Sequence, residues 1–195
     1  MTNKFLAAAL AATAFLPAAA QAQRVPAAAV AVVDTDRIGR ECTACRAAST
    51  QLQAQETTLR NRAQALQQQL QTAGTPIQTA VGALNGRQPD AALQQRITAF
   101  QSQQRAAETE LATGQRNLQS TQANVNRQIG ARLQTIVASV AAARGANVAM
   151  DRATALYAAT NVDITNEVLA QLNQQLPSVS VTPLPQNQQQ RPQGR

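Results

Sequence analysis

Leu93, Ile97, Phe100, Gln104, Ala107, Leu111, Gly114 and Leu118 follow one another at steps of four and three. That spacing keeps one narrow stripe on one side of a helix, the pattern of a coiled-coil seam. Leu52, Leu59, Ala63, Leu66 and Leu70 form an earlier stripe, mostly at the same steps. Between the two lies Asn85-Gly86-Arg87-Gln88-Pro89-Asp90, the strongest turn signal in this part of the chain. Pro89 and Asp90 also suit the start of a new helix, where a carboxylate meets the positive helix end. The sequence therefore predicts a long antiparallel helical hairpin over residues 46–144, with its tip near residues 85–90. An arm of ~50 residues at ~1.5 Å rise is ~75 Å long. Such a shape grips, spaces or wraps a partner, and its stripe supplies no pocket for chemistry.

Gly74-Thr75-Pro76 interrupts the outgoing stripe. Proline inside a helix removes a hydrogen bond and crowds the preceding turn, so a kink or break is expected there, leaving a looser tip beyond a firmer base. Ile77, Val81 and Leu84 then resume the stripe, as seam residues or as exposed contacts for a partner. Toward the end of the return arm the apolar face widens to Val125, Ile129, Leu133, Ile136, Val137 and Val140. A wider face implies more neighbours than one helix.

Those neighbours are expected from the two flanks. Ala28–Val33 and Asn147–Met150 are strand candidates, and Ala155–Ala159 around Tyr157 is a third, with Tyr157 expected in the core. Thr35–Arg40 reads as a helical turn capped by Asp34 or Thr35. Gly145 suits a helix C-terminus. A last helix opens at Asp163 and runs through Leu172. Residues 23–45 and 145–175 thus predict a small β-body from which the hairpin projects, an α+β fold dominated by α. Residues 176–195 are rich in Pro, Gln and Ser, the composition of a disordered tail.

The first 22 residues read as a targeting segment. Lys4 supplies the positive start, and Phe5–Leu16 is an apolar run of 12 residues, shorter than the ~20 needed to span a bilayer. Ala20-Gln21-Ala22 then supplies a cleavage site before Gln23. The alternative is an uncleaved anchor. Export to the periplasm is expected, with the signal peptide cleaved after Ala22.

Lys4 is the chain's one lysine, so the processed protein carries 16 Arg and no Lys against 10 acids. The imbalance sits on the arms, where Arg46–Arg132 holds nine Arg against Glu56, Asp90, Glu108 and Glu110. A net +5 there favours acidic protein segments, anionic lipid or lipopolysaccharide as partners. Nucleic acid fits the charge but not the export signal. It also lacks stacking platforms, since Phe100 and Tyr157 are the two aromatics after the signal segment. The candidate contacts are Arg60, Arg62, Arg87, Arg96, Arg105 and Arg116. So thin a pair of helices buries little apolar surface alone, which predicts self-association.

Cys42 and Cys45 are the two cysteines, and the chain has no His. Zinc needs about four ligands, and covalent haem would need His where Arg46 stands. A catalytic redox pair belongs on a thioredoxin-like fold. A structural disulfide, two buried thiols or links between chains remain open. Asp34 and Asp36 have no His, Lys or Ser constellation beside them, so capping and surface charge are expected rather than acid–base chemistry. No catalytic residue, cofactor or metal site is expected, and the protein is read as not an enzyme.

Val30–Arg37 (VAVVDTDR), the long polar hairpin, Gly145–Asp151 (GANVAMD) and Leu156–Leu172 (LYAATNVDITNEVLAQL) together resemble the Skp/OmpH family of periplasmic chaperones. The most specific part is the stretch around Tyr157, Asp163, Ile164, Thr165 and Glu167. The resemblance implies a homotrimer with a shared β-body and three helical arms around a cavity. It implies an ATP-independent holdase that binds unfolded outer-membrane proteins and prevents their aggregation. The chain departs from the family in its Gln- and Ala-rich arms with Arg as the only cation, and in Cys42-Thr43-Ala44-Cys45, where relatives carry a Ser-Pro-x-Gly type junction. The alternative is a structural coiled-coil spacer of the cell envelope without client binding.

Overall fold

The computed structural model describes residues 27–185. The expected signal segment, residues 1–22, and residues 186–195 lie outside the described residues. In chain order the elements are β1 (Val30–Val33), α1 (Thr35–Glu41), α2 (Thr43–Gly82), α3 (Ala91–Ala143), β2 (Val148–Asp151) and α4 (Thr165–Gln175). Two single 3-10 turns, Arg152–Thr154 and Thr160–Val162, join β2 to α4.

β1 and β2 are parallel, with Val30 opposite Val148 and Val33 opposite Asp151. Parallel strands need a long crossover, and here everything from α1 to α3 forms it. Two strands alone are marginal in water, and the sheet is held by packing and by added bonds. The Ile164 N–H donates to the Val32 carbonyl at 2.9 Å. The Asp34 N–H donates to Thr165 Oγ1 at 2.9 Å, tying the end of β1 to the start of α4. Ala31 and Val33 pack with Ile38, Ile136, Val140, Ile164, Val168 and Leu172 in one core. Each fully buried aliphatic side chain there contributes about 1.5–3 kcal/mol. The wide apolar face of the C-terminal part of α3 therefore meets α4 and the sheet, as the widening stripe requires.

Helix ends follow local chemistry. Asp34 Oδ1 accepts the Arg37 N–H at 2.7 Å and caps α1. Asp90 Oδ1 accepts the Leu93 N–H at 2.8 Å and caps α3. Gly145 follows α3 at φ 75°, a left-handed position that glycine takes without a Cβ clash. Asn85 at φ 47° and Gly86 at φ 86° make the turn between α2 and α3.

α2 and α3 run antiparallel, and their stripes meet. A Cβ at Gly114 would lie 2.6 Å from Leu59 Cδ1, and one at Gly74 would lie 3.0 Å from the Phe100 ring. Leu66, Leu93 and Ala107 are buried in this seam. Gln104, a member of the return stripe, stays exposed.

Three expectations are corrected. α2 continues unbroken through Pro76. The hydrogen bond lost there would have used the carbonyl of Thr72, an exposed residue, and Phe100 lies across Gly74, two residues before the proline. Thr75 Oγ1 also bonds the Gln71 carbonyl at 2.9 Å. Next, Ala155–Ala159 is not a strand, and Tyr157 is 85% exposed rather than a core residue. Local bonds hold the chain in turns instead: Asp151 Oδ1 accepts the Ala153 N–H at 2.8 Å, and Thr154 Oγ1 donates to the Asp151 carbonyl at 2.7 Å. Finally, residues 177–185 are not a free tail. They lie along α2 and α3 with Val181 buried, because Val179 and Val181 find apolar partners and the backbone finds side-chain amides.

Candidate functional site

The candidate cations are spread along α2, α3 and the turn between them, where Arg87 lies. Arg60 pairs with Glu56 on its own helix at 2.8 Å. Arg62 crosses the seam to Glu110 through two bonds, at 2.6 and 3.0 Å. Hydrogen bonding to Arg62 pulls the Glu110 carboxyl below the ordinary carboxylate range, and Glu110 in turn raises Arg62. Both groups are half-exposed, so solvent screens the pair. Arg105 donates to Ser102 Oγ at 3.1 Å and Arg116 to Thr113 Oγ1 at 2.9 Å, which folds each guanidinium along its helix. Arg87 and Arg96 share a recess of about 430 Å³ near the tip with Leu84, Asp90 and Leu93. The set is a dispersed positive surface. Ile77 and Leu84 are half-buried, while Val81 is 44% exposed.

At the base, Cys42 and Cys45 are joined as a disulfide, with Cα atoms 5.1 Å apart. Cys42 closes α1 through its N–H to the Ile38 carbonyl and opens α2 by accepting the Cys45 N–H on Sγ at 3.1 Å. The bridge thus fixes the corner between the two helices.

The sheet region has an uncovered apolar side. A groove of about 520 Å³ is lined by Val33, Leu133, Val137, Ala141, Val148 and Met150, among others. Beyond β2, Leu156 is fully exposed and Tyr157 nearly so. Acidic residues in this region serve structure. Asp151 accepts hydrogen bonds from the Thr35 hydroxyl and the Ala153 N–H, which hold its carboxyl low. Partial burial works against ionised Asp163, yet bonds from the Thr165 hydroxyl and N–H, with Arg152 at 3.0 Å, outweigh it and lower its pKa.

Among the described residues, no three His, Cys, Asp or Glu gather as a metal site, and no helix is long and apolar enough to cross a membrane.

One cluster was not anticipated. Gln55, Ser120, Asn124 and Gln128, from α2 and α3, hold the backbone of residues 180–184. The available signal was Val179-Ser180-Val181-Thr182, an alternating run after Pro177.

A family model for outer membrane proteins of the OmpH-like type matches residues 29–172. The chain belongs to the OmpH-like family. The match takes in both strands, α1 to α3 and most of α4, and it stops before the segment lying on α2 and α3. Among solved structures, the OmpH-like chain is similar to a protein of Caulobacter crescentus CB15 named as an outer membrane chaperone (OmpH-like). The TM-score is 0.67 at 18% identity, covering 86% of this chain and 98% of that one. At that identity the likeness establishes the fold. No curated protein matches the OmpH-like chain.

Proposed function

We propose that this protein is an ATP-independent periplasmic holdase that binds unfolded outer-membrane proteins and prevents their aggregation. Membership of the OmpH-like family over residues 29–172 carries the reading. The α2/α3 pair serves as an arm, and three copies join through their sheet regions into a homotrimer whose arms enclose a client. The uncovered groove beside β2 and the exposed Leu156 and Tyr157 favour such a union. Exposed patches of this kind ordinarily mark an interaction surface.

The work is binding rather than catalysis, and it uses no cofactor. Many weak contacts along the arms hold lipid-facing residues of the client. Arg60, Arg62, Arg87, Arg96, Arg105 and Arg116 give the arms a positive field that draws acidic segments, anionic lipid or lipopolysaccharide. That attraction weakens as salt rises. The Cys42–Cys45 disulfide suits an exported protein, processed after Ala22.

The test is dilution of a urea-unfolded porin into buffer with stoichiometric trimer. Suppressed light scattering is the expected result. Undiminished aggregation would refute the holdase reading.

A further inference from the structure

The segment that follows α4 alternates in its placement. Val179 is half-buried and Val181 buried, while Ser180 and Thr182 are exposed, their hydroxyls 2.8 Å apart. Val181 sits against Ala48 and Val125 at the base of the α2/α3 seam. The backbone is gripped by side chains. Gln128 donates to the Ser180 carbonyl and accepts the Ser180 N–H, both at 3.0 Å. Gln55 donates to the Val181 carbonyl and Asn124 to the Thr182 carbonyl, each at 3.0 Å. Ser120 Oγ accepts the Leu184 N–H at 2.9 Å.

These contacts demand an accessible backbone and a small apolar side chain at every second position, and little else. Alternation of apolar and polar residues is the pattern of an outer-membrane β-strand. Side-chain amides that pair with main-chain groups do not depend on sequence, while the slot at Val181 selects for alternation. Beyond Thr182 and Pro183 a recess of about 590 Å³ continues along the seam past Leu59 and Leu118, room that the chain's own segment leaves open.

We propose that this groove is a binding site for an extended, alternating segment of an unfolded outer-membrane protein, and that residues 178–184 occupy it in cis as a displaceable stand-in. The proposal rests on the holdase reading and adds to it a site and a competitor. Residues 178–184 lie beyond the region that the family model matches. Ordering seven residues opposes one buried valine and five hydrogen bonds, which keeps closure weak enough to be displaced. A strap closed about ten times as often as open weakens client binding by about tenfold.

The test compares the full chain with Val181→Asp, which ejects the strap and leaves the groove side chains in place. The expected result is porin binding about tenfold tighter than wild type, with capture of a synthetic peptide of residues 177–185 by the variant. Equal or weaker porin binding by a variant whose strap is released would make the segment a structural staple and overturn the proposal. Amide exchange on the wild-type protein gives an independent reading should the variant fail to fold. Porin is expected to speed exchange at the Ser180 and Leu184 amides, and continued protection in the bound complex would overturn the proposal. If neither protein holds porin, the holdase reading fails by itself, and peptide capture by the variant still decides whether the groove binds extended chain: capture supports the site and no capture removes it.

Discussion

The base and the distal half of this molecule are built on different terms. At the base, Ile38, Ile136, Ile164, Val168 and Leu172 are almost completely buried among elements drawn from both flanks of the chain. Distally, among the described residues, α2 and α3 have only each other, and the seam is a line of single contacts such as Leu66, Leu93 and Phe100 over Gly74. A fully buried side chain loses packing on all sides when truncated, whereas a seam residue has solvent nearby to fill the gap. Stability is therefore concentrated at the base, and the distal pair is free to deform locally at low cost.

The largest effect should come from the base core. Ile164→Ala is expected to lower unfolding stability by about 2–5 kcal/mol, as large-to-small core changes do, measured by urea denaturation. Leu66→Ala should cost less than half as much in the same assay. Equal losses would erase the distinction between the two regions.

The disulfide comes next. Cross-linking closes a very short loop, for which the chain-entropy relation gives about 2 kcal/mol. Reduction of Cys42–Cys45 should lower the denaturation midpoint of the base and leave amide exchange near Val81 and Leu93 unchanged. A distal response would show that the corner between α1 and α2 governs the whole pair.

Acid should act on the base as well. Asp151 and Asp163 have carboxyls held below their ordinary range in the fold. Their contribution is complete above the unfolded carboxylate value of about 3.9 and is lost as pH falls through the lower folded values. Denaturation midpoints measured from pH 7 downward should therefore drop below about pH 4. Thr35→Ala with Thr165→Ala, which removes the two hydroxyl donors and leaves the backbone donors and Arg152, should reduce that drop.

The smallest effect is predicted for the cross-seam ion pair. Arg62→Ala should leave the midpoint almost unchanged, because the pair is half-exposed. The Glu110 titration followed by NMR should nonetheless move up toward the ordinary range.

The legible parts of this fold were those set by local rules. Steps of four and three named the helices and their facing sides. Asn85-Gly86 and Asp90 named the turn and the cap, and of Asp34 and Thr35, the two candidate caps for α1, Asp34 is the one that serves. What was missed depended on contacts between distant residues. Gly74-Thr75-Pro76 reads as a kink or break, yet α2 continues unbroken through Pro76, with Phe100 packed on Gly74. Ala155–Ala159 had strand composition, but bonds within Asp151–Thr154 hold the adjoining chain in a turn. The placement of residues 180–182 was hidden because their backbone partners are glutamine and asparagine side chains on another part of the sequence. Those residue types appear so often in α2 and α3 that none stood out. The Arg set was readable as charge, but its dispersion along the pair required coordinates.

The proposed homotrimer would cover Leu156, Tyr157 and the groove beside β2, all of which one copy leaves open. Light scattering coupled to size exclusion on the processed protein tests it most directly. A mass three times that of the chain is predicted. A monomer, or a rod-like dimer of the kind a passive envelope spacer would form, would contradict it.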